Sequence, residues 1–93
     1  MYLMNSAMTE IIWKNPALKF LRQLDKIESK RIVKKVEEEI KLDVKRYLKF
    51  LSNLDFLKIR IGNYRLFVDY KGDEDKLYIN TIKYRKDAYK NLK

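Results

Sequence analysis

The chain has 93 residues, enough for one domain with a modest core and too few for two. Its 46% hydrophobic content is typical of a folded protein, whereas the absence of cysteine and histidine excludes disulfides, thiolate chemistry and imidazole catalysis. Twenty-two lysines and arginines against 13 aspartates and glutamates give a net charge of +9. That charge favours a polyanionic partner: RNA, DNA, an acidic membrane or an acidic protein.

The limits of the domain follow from where regular patterning begins. Residues 1–8 are expected to be a flexible N-terminal extension and residues 9–93 a single domain, because a strand pattern starts at Thr9. No apolar run approaches the length of a membrane span. The lack of cysteine suits a reducing compartment, so we expect a cytoplasmic protein.

The first elements are a strand over residues 9–14 and a short helix. Asn15 at the N-cap followed by Pro16 is a good helix start, and the helix is expected to end near Leu24. Its apolar stripe has 3.6-residue spacing and consists of Ala17, Phe20, Leu21 and Leu24.

A second helix is predicted to follow at once and to pack antiparallel to the first. Asp25 and Glu28 have capping-box spacing. The apolar stripe that follows consists of Ile32, Val36 and Ile40. The pattern alone permits helix as far as Leu51, because Ser52-Asn53 is the first clear breaker.

A β-hairpin with a tight turn at Gly62-Asn63 comes next, since both residues tolerate positive φ. This turn predicts that Ile61 lies opposite Tyr64 and Arg60 opposite Arg65. Alternation then separates two faces. One is apolar, with Leu57, Ile59, Ile61, Leu66 and Val68; the other is cationic, with Lys58, Arg60 and Arg65.

The chain closes with a polar turn over residues 71–75, a strand over residues 76–83 and a short basic tail over residues 86–93. In that strand Leu77, Ile79 and Thr81 alternate. The element order is therefore β-α-α-β-β-β. It predicts the α+β class, with a helical hairpin packed on one face of a small antiparallel sheet.

The cationic face of the hairpin is the best candidate site. Like charges directly opposite each other cost stability, so Arg60, Arg65 and Lys58 are expected to hold an anion, since guanidinium groups bind phosphate in bidentate fashion. The competing interpretation is a solvated sheet face with partners such as Asp69.

Arg85 lies just beyond the last strand and is flanked by Tyr84 and Tyr89. A tyrosine ring can stack on a base or direct its hydroxyl to a phosphate. For Tyr84 a role as a cap on the core is equally compatible with the sequence.

No metal or cofactor is expected. Glu37, Glu38 and Glu39 are successive helix residues that point in different directions. The acidic run over residues 73–75 lacks the spacing of an EF-hand loop.

Residues 9–90 resemble the RelE/ParE toxin superfamily. The run Lys58-Ile-Arg-Ile-Gly-Asn-Tyr-Arg65 is similar to the family's Arg-Ile-Arg-Val-Gly-Asp-Tyr-Arg hairpin. Tyr84-Arg85 with Tyr89 is similar to its C-terminal His-Arg-x-x-x-Tyr, and Leu48-Lys49 to a Leu-Lys before the hairpin. The latter match implies that the second helix stops near residue 42 and that the segment up to residue 55 is mostly irregular.

The resemblance implies a RelE-like endoribonuclease that cuts mRNA in the ribosomal decoding site without a metal. It implies as partners mRNA, the ribosome and a small acidic RelB-like antitoxin, through which the complex binds operator DNA. Related branches cut free RNA or, in ParE, inhibit DNA gyrase, so a gyrase-inhibiting toxin is the alternative function. An inactive relic that binds nucleic acid or a partner is a third.

The resemblance also assigns roles to individual residues. It matches Arg65 and Arg85 to the family's phosphate-binding arginines, Tyr89 to its C-terminal tyrosine, and Lys58 to a basic hairpin position. On this basis we expect as catalytic residues Arg65 and Arg85 on the phosphorane charge, Lys58 as proton acceptor and Tyr89 on a base. Arginine is a poor base, and the proton donor is unassigned, with Arg85 as the default. The implied RNA or phosphate contacts are Lys49, Arg60, Tyr84 and Lys86. Tyr84 replaces the histidine of other branches, which favours the RelE arrangement.

Overall fold

The computed structural model describes residues 9–50 and 57–85, and its helices pack on one face of a sheet. The α+β class and the order β-α-α-β-β-β are confirmed, with one further short strand before the hairpin. The strands are β1 Glu10–Trp13, β2 Leu48–Phe50, β3 Leu57–Ile61, β4 Tyr64–Lys71 and β5 Lys76–Tyr84. The helices are α1 Asn15–Gln23, α2 Lys26–Glu38 and α3 Val44–Tyr47, with a 3₁₀ turn at Ile40–Leu42. The predicted extension 1–8 and tail 86–93 lie outside the described residues.

The sheet is mixed, which corrects the expectation of a wholly antiparallel one. Its strand order is β1-β5-β4-β3-β2, and β1 runs parallel to β5. The turn before β5 fixes this pairing. The Thr9 hydroxyl donates to the Asp75 carboxylate at 2.8 Å, and the Glu10 amide donates to the Asp75 carbonyl at 2.9 Å. These long-range contacts have no local signature in the sequence.

The hairpin has the predicted register. Arg60 lies opposite Arg65 and Ile61 opposite Tyr64. Gly62 adopts φ of +53°, the left-handed conformation that the tight turn requires. One face of β3 and β4 joins the hydrophobic core. The other face points away from the helices, and we call it the outer face.

A β-bulge shifts the faces of β5 and corrects the predicted alternation. Thr81 pairs with Phe67 and Ile79 with Val68, so Asn80 is an extra residue on β5. Beyond it Ile82 rather than Thr81 is buried in the core.

The helix starts are set by local capping. The Asp25 carboxylate accepts a hydrogen bond from the Glu28 amide, as predicted. For α1 the N-cap is Lys14 and not Asn15, which is already helical. A proline is tolerated throughout the first turn of a helix, because the amides there lack intrahelical partners. The position of Pro16 therefore does not determine which residue is the N-cap.

The helical segment that begins with α2 ends at Leu42, the nearer of the two predicted limits, although its α-helical part is shorter. The α-helix stops at Glu38, the 3₁₀ turn continues to Leu42, and Asp43 breaks the helix with an extended φ of −155°. The following segment is not irregular as far as it is described, because it forms α3 and β2. The three members of the predicted stripe are all buried: Ile32, Val36 and Ile40.

A Gly62→Ala substitution is expected to lower the free energy of unfolding by about 1–2 kcal/mol, because a left-handed backbone strains any residue with a Cβ. A Cβ at this position would also lie 2.9 Å from Nη2 of Arg31. Urea unfolding measures the change.

The matched control is Gly72→Ala. Its Cβ would meet only the Tyr70 ring at 3.7 Å, an ordinary contact, so we expect a change within about 0.5 kcal/mol. Equal effects of the two substitutions would contradict the assigned role of Gly62.

Candidate functional site

The outer face of the sheet holds a row of three cations across three adjacent strands. Arg60 on β3 pairs with Arg65 on β4, which pairs with Lys83 on β5. We call these three residues the cation row. Side chains at directly opposed positions are neighbours on one face, so three positive charges are concentrated at the end of the sheet near the hairpin turn.

Lys58 lies on the same face, one step of the pleat from the cation row. It is opposite Phe67 on β4, and in β2 the backbone of Lys49 is in register with it. The predicted grouping of Lys58 with Arg60 and Arg65 on one face is therefore present in the structure. Lys49 occupies a position beside them.

Burial differs sharply among these cations. Arg65 is only 4% exposed and its neighbour Phe67 only 8%, whereas Arg60 at the edge is exposed. A buried guanidinium loses side-chain freedom on folding and sits in a medium of lower dielectric than water. Arg65 is consequently the most rigidly placed positive charge of the row.

Lys83 is the member of the row that sequence reasoning missed. Simple alternation from Leu77 and Ile79 places residue 83 on the core face; the bulge at Asn80 reverses this. The signal was available, because the apolar spacing changes from two residues to three between Ile79 and Ile82.

Arg85 lies at the same end of the sheet. Its amide donates to the Asn63 carbonyl at 2.6 Å, which holds the chain after β5 against the hairpin turn. The residue is exposed. The backbone therefore places Arg85 next to the turn that joins Arg60 and Arg65.

Tyr84 is not brought together with the cations. Its ring lies 5.4 Å from Phe20 and 5.5 Å from Tyr64, centroid to centroid, on the helix side of the sheet. It is 42% exposed there. These contacts match the core-capping interpretation. Lys86 and Tyr89 lie outside the described residues, so their roles, like an RNA contact of Tyr84, stay predictions.

A hydrogen-bonded network fastens α2 to the hairpin. The Tyr64 hydroxyl donates to one oxygen of Glu28 at 3.1 Å, and Arg31 pairs with the other at 3.2 Å. The Arg31 guanidinium also lies directly against Gly62. Burial, together with the bond to Glu28, raises the pKa of Tyr64.

The comparisons with known proteins concern the fold. No protein-family model and no curated protein sequence matches this chain. A chain of the toxin–antitoxin complex RelBE2 from Mycobacterium tuberculosis is similar, with a TM-score of 0.76 and 17% identity over 85% of this chain and 93% of that one.

Two further structures are similar over most of their length. The isolated RelE toxin of E. coli has a TM-score of 0.63 and 18% identity, covering 91% of this chain and 99% of that one. A chain of the RelB–RelE complex of Methanococcus jannaschii has a TM-score of 0.62 and 21% identity, covering 88% and 99%. This chain therefore has a RelE-like fold. Within residues 9–50 and 57–85 no helix has the length and apolar character needed to cross a membrane.

The Tyr64 network predicts a loss of stability in alkali. Because the folded chain raises the pKa of Tyr64 above its ordinary 10.0, the stabilising contribution of this phenol is complete below about pH 10. It is lost as the pH rises towards the folded-state pKa. A Tyr64→Phe variant should lose less stability between about pH 9 and pH 11 than the wild type.

Urea unfolding across this pH range measures the difference. Glu28→Gln is the matched control: its neutral amide still accepts the hydroxyl hydrogen bond but no longer repels tyrosinate, so its alkaline loss should be intermediate. An unchanged alkaline loss in Tyr64→Phe would rule out this assignment.

Proposed function

We propose that this chain is the toxin of a type II toxin–antitoxin system and an endoribonuclease that cleaves mRNA. The cation row on a RelE-like fold is the observation on which the proposal depends. The chain has a net charge of +9, and three of its cations are directly opposed in the cation row. Both features suit a polyanionic substrate.

The proposed reaction is metal-free transesterification. The ribose 2′-hydroxyl attacks the adjacent phosphorus, the bond to the 5′ oxygen breaks, and the products are a 2′,3′-cyclic phosphate and a 5′-hydroxyl. Negative charge develops on the phosphorane, where preorganised cations contribute most. We assign the stabilisation of this charge to Arg65, which is buried, and to Arg85, which lies beside the hairpin turn.

The remaining steps are proton transfers. Lys58 is proposed to accept the proton of the attacking hydroxyl, and the departing 5′ oxygen gains one, with Arg85 as the default donor. Tyr89 is proposed to orient a base. Arg60 and Lys83 are proposed to bind the flanking phosphates, and Lys49 and Lys86 to extend this contact. Because the Tyr84 ring lies on the helix side of the sheet, its proposed RNA contact would be separate from the cation row.

The proposed partners follow from complexes of RelB with RelE that contain a similar fold. A small acidic RelB-like antitoxin would neutralise this chain in the cytoplasm, and the complex would bind operator DNA through the antitoxin. The proposed site of mRNA cleavage is the ribosomal decoding site.

Induction of the chain in cells, with labelled precursors of protein and DNA, tests the class of target. We expect early loss of protein synthesis with intact DNA. Early DNA damage with continued translation would instead identify gyrase as the target and overturn the nuclease proposal.

Purified variants test the site. Arg65→Lys keeps the charge but loses the guanidinium fork, and Arg85→Ala removes an exposed cation. Each should lower the rate of mRNA cleavage on translating ribosomes by about 10²- to 10³-fold. Arg22 is an exposed arginine of α1, so Arg22→Lys and Arg22→Ala are matched controls that should cleave at the wild-type rate. Folded Arg65 or Arg85 variants with full activity would refute the site.

A further inference from the structure

An open groove of about 430 Å³ lies between helix α2 and the edge of strand β3. Pairing of β2 with β3 ends at Leu48 opposite Ile59. The β3 edge from Arg60 onward therefore faces this groove and is not covered by β2. We call it the edge groove; it is lined mainly by Arg31, Lys34, Lys35, Tyr47, Arg60 and Gly62.

The edge groove is strongly positive. Four of its eight lining residues are cations, and one, Glu39, is an acid. Glu39 is already engaged, because Lys35 donates to it at 2.8 Å. That hydrogen bond raises the pKa of Lys35 and keeps its ammonium charged. Lys35 is thereby paired, and Arg31 is paired with Glu28. Lys34 and Arg60 are exposed and leave the groove a surplus of positive charge.

An aromatic ring completes the lining. The Tyr47 ring has the Lys35 ammonium 5.5 Å and the Arg46 guanidinium 5.9 Å from its centroid. Cations combined with an aromatic surface are the usual elements of single-stranded nucleic-acid binding, in which the cations contact phosphates and the ring offers a face to a base.

The groove is continuous with the candidate catalytic face through one residue. Arg60 belongs to the cation row and also lines the edge groove. A polyanion bound along the row can therefore continue around the part of the β3 edge that β2 does not pair with. It would remain in contact with cations as far as α2. This continuity, and not the charge of α2 alone, distinguishes the groove from a solvated helix face.

We propose that the edge groove binds the RNA backbone on one side of the cleaved phosphate. This inference rests on the proposed endoribonuclease function and extends it by assigning a second segment of substrate contact. An acidic protein segment fits the lining less well. Protein interfaces depend on apolar and aromatic anchors at their centre. Among the described residues, the groove offers Ile61 and Tyr47 as such anchors.

The test compares two double variants of equal charge. Lys34→Gln with Lys35→Gln removes two groove cations and keeps most of each side chain. The control, Lys19→Gln with Lys26→Gln, removes two exposed lysines of α1 and α2 that are outside the groove. Circular dichroism and thermal unfolding verify that both variants fold.

Binding is measured by fluorescence anisotropy with 2′-O-methyl RNA, which lacks the attacking hydroxyl and stays intact. Oligonucleotides of about 4 and about 16 nucleotides span the site sizes of single-strand binders. For the longer RNA, the groove variant should lose on the order of tenfold in affinity. Its slope of log K against log salt should fall by about 0.7 for each lost phosphate contact. Lys34 is the main such contact, because the Lys35 ammonium is paired with Glu39.

The shorter RNA, held by the cation row, should bind the groove variant as well as it binds the control. Equal behaviour of groove and control variants with the longer RNA overturns the inference, as does an equal loss with both lengths. Normal RNA binding by a groove variant that no longer binds an acidic antitoxin would assign the groove to a protein partner instead.

Cleavage of unmodified mRNA by the wild-type chain, assayed with translating ribosomes present, separates the two proposals. If the wild type cleaves RNA but the groove variant shows no change in affinity or salt slope, only the groove inference fails. If the wild type neither binds nor cleaves RNA, the proposed function fails and the groove inference fails with it.

Discussion

The register of the β3–β4 hairpin is the constraint on which the candidate site depends. A two-residue turn with Gly62 at φ of +53° leaves one alignment in which Arg60 faces Arg65. A slip of one residue would move every side chain of one strand to the opposite face. Arg65 and Phe67 would then enter the core in place of Leu66. The register of the hairpin therefore determines on which face the cations lie.

This part of the molecule was predictable because its determinants are local. The Gly62-Asn63 turn, the alternation around it and the Asp25 cap each act within a few residues. By contrast, the parallel pairing of β1 with β5 depends on Thr9 and Asp75, which are 66 residues apart. The short β2 strand likewise forms only because β3 offers an edge, so propensity alone could not predict it.

The sequence predicted most of the residues of the candidate site, but not how deeply each of them is buried. Residue types and register brought Lys58, Arg60 and Arg65 to one face, but the enclosure of Arg65 depends on tertiary packing. The bulge at Asn80 had a larger effect, because it places Lys83 beside Arg65 and turns Ile82 into the core. An extra residue in a strand is visible in sequence only as a change of apolar spacing from two to three.

The distribution of charge links this site to the stability of the chain. Two acids on α2 have structural partners: Glu28 binds Tyr64 and Arg31, and Glu37 accepts from Trp13 and pairs with Lys41. The cation row instead sets like charges side by side, which costs stability in the unliganded chain. Any polyanion that binds the folded row offsets this repulsion and shifts the folding equilibrium towards the folded state. Binding and folding are therefore thermodynamically linked through the same residues, whether the ligand is an RNA backbone or an acidic protein.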